Sequence, residues 1–326
     1  MSLYGAVAAA RRRLYESGIL RTETVPVPVV SVGNLTWGGT GKTPFIAALA
    51  EHDEEQGKRV GIVARGYRRR SRGVAVVSDG TRLLAGVADA GDEPFLLARR
   101  FPRAIVVVAE RRAAGARAAG RLGADILLLD DGFQHLALGR DLDIVLVDAN
   151  DPFGGGPPPA GRAREEPSAL SRADLLVVTR ARRGEISAAD RELPKWSRAP
   201  VFHCRFRFAG WFRDQAPALL PSGATGLAVC AVGKPESFRA TLDETRAPVA
   251  GFVAFRDHHR YSDADVRTLE TRARSAGASV FLTTEKDEVK LLGRASLPIL
   301  AARIEAEVFE PDFFSRVDRI LSERKS

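Results

Sequence analysis

Six consecutive residues, Gly38-Gly39-Thr40-Gly41-Lys42-Thr43, have the types and order that hold a polyphosphate. Glycines let backbone N–H groups approach phosphate oxygens closely. A following helix presents the positive end of its dipole, and a lysine answers the β- and γ-phosphates. Thr43 supplies a hydroxyl for Mg²⁺. The residue five places before Gly41, a glycine in the usual P-loop, is Thr36 here, so Gly38 and Gly39 must supply the flexibility. A second feature is Ile126 to Leu129 running into Asp130 and Asp131. An apolar strand ending in two carboxylates has the form of a Walker B strand, whose acid holds Mg²⁺. Adjacent carboxylates repel, so they call for a cation or donors nearby. Gln134 and His135 follow at once, at a strand edge where α/β ligands bind. Asp92, in Gly91-Asp92-Glu93-Pro94, is placed to cap a helix. Asp257-His258-His259 reads, on spacing alone, as core or surface.

A P-loop fixes nucleotide binding, not the reaction. A GTPase switch usually carries Asn-Lys-x-Asp, which is absent; Glu285-Lys286-Asp287 has the order wrong. An ATPase switch or metal-delivery chaperone therefore stands as the alternative to a kinase. The basic run Arg68, Arg69, Arg70 and Arg72 has no RNA- or DNA-binding motif beside it. It reads as a solvated loop or a contact to substrate phosphate, and no nucleic-acid partner is expected.

The elements that must position these residues alternate. The pattern predicts strands at 27–32, 59–64, 105–108, 126–129, 144–147 and 175–178, with helices at 43–56 and 111–122 between them. Short apolar runs alternating with helices indicate an α/β fold, a P-loop NTPase-like parallel sheet flanked by helices. From 201 to 212 the texture changes to period-two alternation, as in a half-exposed strand. A Pro- and Gly-containing turn follows at 217–226. A second, smaller α/β domain then reads as strand 227–232, a helix from Pro235, strand 252–255, helix 263–275 and strand 280–282. The expected division is an amphipathic N-terminal helix at 1–20, a P-loop domain at 21–200, a β-rich linker at 201–225 and the smaller domain at 226–326. The Pro- and Gly-rich stretch 152–161 reads as an active-site loop.

With 326 residues, 45% hydrophobic and 28% charged, the chain can bury a full core without staples. Two cysteines without metal-ligand spacing exclude a disulfide framework or zinc site and suit a reducing compartment. The net charge of +8 suits acidic partners, though only seven of the 49 basic residues are lysines, a bias that genome composition also produces. No apolar run is long enough to span a membrane, and the N-terminus lacks signal-peptide order, so a cytoplasmic protein is expected.

Taken together the motifs resemble the tetraacyldisaccharide 4′-kinase family. Ser31-Val32-Gly33-Asn34-Leu35-Thr36 leads into the P-loop, and then come Arg65-Gly66-Tyr67, Gly91-Asp92-Glu93-Pro94, Leu129 to His135 and Arg140-Asp141-Leu142. Pro159-Ala160-Gly161, Arg164-Glu165, Asp257-His258, Tyr261-Ser262 and Thr284 to Asp287 complete the order. Three segments depart from the family pattern: Ala163-Arg164-Glu165-Glu166, Ala231-Val232-Gly233-Lys234-Pro235, and the loop before Pro159, with Gly154, Gly155 and Gly156 and prolines after them. The resemblance implies transfer of the γ-phosphate of ATP to the 4′-hydroxyl of an acylated glucosamine disaccharide 1-phosphate. It implies Asp92 as base, His258 as its partner and Lys42 on the phosphates, with Gly38, Gly39, Thr40, Gly41 and Thr43 around the nucleotide. Thr43, Asp131 and, as further candidates, Asp130 and Glu165 hold Mg²⁺. Arg112 and Arg164 are candidate phosphate ligands, and Gln134 and His135 candidate walls of the substrate site. Because Asp92 and His258 fall in different domains, closure must assemble them. An acylated substrate places the enzyme peripherally on the cytoplasmic face of the inner membrane, with Leu3, Tyr4, Val7 and Leu14 toward lipid and Arg11 to Arg13 toward headgroups. The oligomeric state is left open.

Overall fold

The computed structural model describes residues 3–324, with side chains from residue 10 onward. The larger half contains α1 (Leu3–Glu16), β1 (Val29–Asn34), α2 (Lys42–Glu55), β2 (Val60–Ala64), β3 (Ala75–Asp79), α3 (Val87–Ala90) and α4 (Asp92–Arg100). It continues with β4 (Ile105–Val108), α5 (Arg112–Arg121), β5 (Ile126–Asp130), β6 (Leu142–Asp148), β7 (Leu175–Thr179) and α6 (Ala188–Glu192). Then come β8 (Val201–Arg213), β9 (Ala216–Ala218), β10 (Gly226–Cys230), α7 (Pro235–Thr245), β11 (Val249–Ala254), α8 (Asp263–Ser275), β12 (Val280–Thr284), α9 (Glu285–Leu291), β13 (Ile299–Val308) and α10 (Phe313–Glu323).

Among the described residues all thirteen strands join one sheet, in the order β11-β10-β12-β13-β8-β7-β6-β1-β5-β2-β4-β3, with β9 paired to β8 as a hairpin. Strand β1 is buried along its whole length. Its near-continuous Val run suits a parallel strand covered on both faces. One face carries α2, α4 and α10; the other carries α5, whose small residues let it approach β2 and β4 closely. Gly33 is in β1 because Phe133 crosses it: a Cβ there would lie 2.5 Å from the Phe133 Cβ.

Apart from the edge strand β3, antiparallel to β4, and the hairpin strand β9, the sheet is two parallel blocks of opposite direction, joined where β8 runs antiparallel to β13. Strand β7 ends at Thr179, opposite Cys204 of β8. Strand β12 ends at Thr284, opposite Ala302, which pairs with Trp211 of the same β8. The C-terminal edges of the blocks therefore face each other along β8, roughly 20 Å apart at about 3.3 Å per residue. The alternation expected at 201–212 is present, with Phe202 and Cys204 buried and Arg205 exposed. Helix α10 returns to the larger half, where Phe313, Val317 and Leu321 share a core with Phe45 and Ile46. Of the expected lipid-facing residues, the side chains of Leu3, Tyr4 and Val7 lie outside the described residues, and Leu14 is exposed.

Candidate active site

A cleft of about 1040 Å³ lies between the facing edges. The P-loop, Asp130 and Asp131 line one side, and Asp257, His258 and Lys286 line the other.

On the first side β1 delivers the loop and α2 departs from it. Gly41 is the N-cap of α2 in the left-handed region, φ 88°, so Lys42 and Thr43 open the helix at its positive end. A Cβ at Gly41 would overlap the ring of Phe206, which closes the loop from β8. Lys42 Nζ is 3.1 Å from Asn34 Oδ1 and 3.4 Å from Asp131 Oδ1. Asn34 is fully buried at the end of β1, and its Oδ1 also accepts from Arg164 Nη2 at 3.1 Å. Arg164 Nη1 donates to Asp131 Oδ2 at 2.7 Å. Burial raises the pKa of Asp131, but Lys42 and Arg164 overcome it and hold the carboxyl at about 2. Asp130 is the reverse case. Burial, then the charges of Glu93 and Asp131, push it up to about 7, and its Oδ1 has no hydrogen-bond partner.

The basic and polar candidates separate. Arg112 is buried against the cleft, with Nη1 donating to Ala109 O at 2.8 Å, and burial draws it down to about 10. Gln134 and His135 are not among the residues lining the cleft; they support the arginines from behind. Gln134 donates to Asn34 O at 3.0 Å and accepts from Arg164 at 3.4 Å. His135 Nε2 accepts the Arg112 N–H at 3.3 Å, and burial with the Arg112 charge lowers its pKa to about 4, so the ring is neutral. Glu165 is not brought to the aspartates. Both its oxygens pair with Arg172, at 2.9 and 3.1 Å, and it lines a separate small pocket.

Asp92 does not cap its helix. Gly91 is the N-cap of α4, and the Asp92 carboxylate turns to the opposite block, with Oδ2 3.3 Å from His258 Nδ1. His258 sits in the left-handed region at φ 57°, and its ring lies 4.9 Å from Tyr67. Beside it, Glu93 Oε1 is 2.7 Å from Lys286 Nζ. Asn34, Glu93 and Lys286 escaped the sequence reading as site residues. The available signal was a polar side chain at the end of a buried apolar strand for Asn34, and motif membership for the other two.

A family profile described as tetraacyldisaccharide-1-P 4′-kinase matches residues 1–322. A tetraacyldisaccharide 4′-kinase from Anaeromyxobacter sp. (strain Fw109-5) is 43% identical over 320 residues, covering 94% of this chain and 85% of its own. That of Geobacter metallireducens is 40% identical over 325 residues, covering 98% and 95%. A crystal structure of the "apo" form of LpxK from Aquifex aeolicus, in complex with ATP, matches with TM-score 0.78 and 31% identity over 98% of this chain and 96% of that one. With the profile spanning nearly every residue and the fold shared from end to end, the chain belongs to the tetraacyldisaccharide-1-P 4′-kinase family.

Proposed function

We propose that the cleft between the two blocks is where this chain performs its reaction, with Asp92 as the base. The reaction itself follows from the family: ATP-dependent phosphorylation of the 4′-hydroxyl of tetraacyldisaccharide 1-phosphate in lipid A biosynthesis. The observation that carries the proposal is the meeting of Asp92 and His258, 166 positions apart, across the cleft that the P-loop lines.

Phosphoryl transfer asks the protein for alignment and neutralised charge. Asp92 accepts the proton of the 4′-hydroxyl as its oxygen attacks the γ-phosphorus and the bond from that phosphorus to the bridging oxygen breaks, releasing ADP, and His258 holds the carboxylate in orientation. Lys42, at the start of α2 beside Asn34 and Asp131, answers the phosphates, and Arg112, still protonated at neutral pH, offers its guanidinium to an anionic group. The donor set fits Mg²⁺. A buried orphan oxygen on Asp130, the ionised Asp131 and the Thr43 hydroxyl match an ion that takes one or two carboxylates and completes its shell with phosphates and water. When bound, it neutralises phosphate charge. Labelled γ-phosphate transfer to the acceptor in detergent micelles tests the proposal. Asp92→Ala should lower kcat by about 10²- to 10⁴-fold with ATP binding kept. Wild-type turnover in that variant would remove Asp92 from the reaction.

The chain works on the cytoplasmic face of the inner membrane, held there peripherally by α1. No helix among the described residues is long and apolar enough to cross a membrane. Support comes from Arg11, Arg12 and Arg13 on α1, from the exposed Ile19 and Leu20 beyond it, and from Arg11 Nη1, which reaches Gln134 O at 3.3 Å and sets α1 beside the site. Removing residues 1–20 should abolish co-sedimentation with anionic vesicles while the protein stays folded; undiminished sedimentation would count against the anchor.

A further inference from the structure

His258 is not the only group that the second block sends to Asp92. Helix α9 starts at the N-cap Thr284, whose Oγ1 accepts the Asp287 N–H at 3.2 Å. Lys286 and Lys290 stand one turn apart on it and share a face. Lys286 Nζ meets Glu93 at 2.7 Å, and Lys290 Nζ lies 3.5 Å from Asp92 Oδ2. Two lysines thus address the two successive carboxylates of the first turn of α4.

Lys290 is itself caged. Its Nζ is 2.7 Å from Asp287 Oδ1 and 5.4 Å from the centre of the Tyr261 ring. Asp287 is fully buried and takes the Ala231 N–H at 2.9 Å, the Tyr261 hydroxyl at 3.2 Å and the Thr284 hydroxyl at 2.8 Å. Only 7% of Lys290 is exposed, and its ammonium makes ion-pair approaches but no aligned hydrogen bond. Burying an ammonium carries a large desolvation cost, and apolar residues dock two helices at least as well. Its closest pairing, with the buried Asp287, accounts for a charge being there; its place beside one oxygen of Asp92 gives that charge a second partner across the cleft.

We propose that Lys290 is a positioning residue for Asp92: with His258 it bears on Oδ2 from a second direction, fixing the carboxylate so that Oδ1 meets the acceptor hydroxyl. The inference rests on Asp92 being the base. The charges around Asp92 agree with it. Burial pushes that carboxyl up, but His258, Lys290 and Lys286 outweigh burial and hold it below the usual range, with Glu93 the acidic neighbour on its own helix. Removing the Lys290 charge should raise the Asp92 pKa, so the acid limb of kcat/KM should move to higher pH.

The test is Lys290→Met in the full-length chain, assayed for kcat and for the KM of ATP across the acid limb, with thermal unfolding and Asp92→Asn in parallel. The expected result is a fall in kcat of about 10- to 100-fold, an unchanged KM for ATP and an acid limb displaced upward. If the Met variant unfolds, Lys290→Gln, which keeps a donor in place of the charge, carries the same comparison. Wild-type kcat with an unmoved acid limb overturns the proposal, as does a rise in KM for ATP alone, which marks a contact that only steadies the cleft. Full turnover by Asp92→Asn removes the base reading, and the proposal falls with it.

Discussion

Asn34 is where one side chain governs two cations. Its Oδ1 receives both Lys42 and Arg164, and its Nδ2 donates to Thr36 O at 2.8 Å, so it sets the P-loop lysine and the partner of Asp131 together. Asn34→Ala should leave two part-buried cations short of an acceptor. We expect a loss of about 1 to 3 kcal/mol in urea unfolding and about tenfold or more weaker ATP binding by calorimetry; a variant with wild-type affinity would show that Lys42 needs no such anchor. Sequence alone singled out Lys42, Thr43 and the aspartate pair as candidates because their chemistry is written in adjacent residues. Asn34 and Lys290 act through partners far along the chain, a relation that spacing does not encode. Glu165 misled because it adjoins Arg164, yet Arg164 turns to Asp131 while Glu165 turns to Arg172.

Among the elements, helices with capped, periodic sequences were legible. Helix α8 spans the expected 263–275, with Ser262 and Asp265 forming a capping box. Strand β13 was missed, since its buried Ile299 to Ala302 and half-buried remainder pair with β12 and β8 in two different environments and show no single period. Helix α4 is held at both ends, by His258 and Lys290 of the opposite block at its start and by Asp214 of the β8–β9 turn on Arg99 at its close. A third clamp is His203 of β8, 2.8 Å from Asp190 of α6 and 2.7 Å from Glu310 before α10. Burial pulls its pKa down, but the two carboxylates raise it above the usual imidazole value. That contribution is complete below about pH 6.5 and fades as pH rises through the raised folded value. The stability gap between wild type and His203→Gln, of order 1 kcal/mol at mildly acid pH, should therefore narrow in alkaline buffer. A gap that widens with pH would contradict the clamp.

At the scale of the whole molecule, the facing edges need a device to hold them. We propose that the second block swings against the first by twisting of the β8–β13 pairing, with the P-loop side latched by Lys234, whose Nζ is 3.4 Å from Asp148 Oδ2. Asp148 also binds Arg180, which donates to Gly39 O at 2.6 Å in the P-loop. Lys234→Glu sets two carboxylates against each other; the KM for ATP should rise about tenfold and small-angle scattering should show a wider molecule, whereas unchanged values would remove the latch. A consequence of another kind follows from α10. Its Phe313 packs on Phe45 of α2, 5.7 Å between ring centres, so the helix that grows out of the P-loop completes its packing only with residues near the C-terminus. On the ribosome, then, the nucleotide site can be translated in full long before it can be stable. A nascent chain halted at residue 310 should stay protease-sensitive at α2, and only chains extended past α10 should bind ATP.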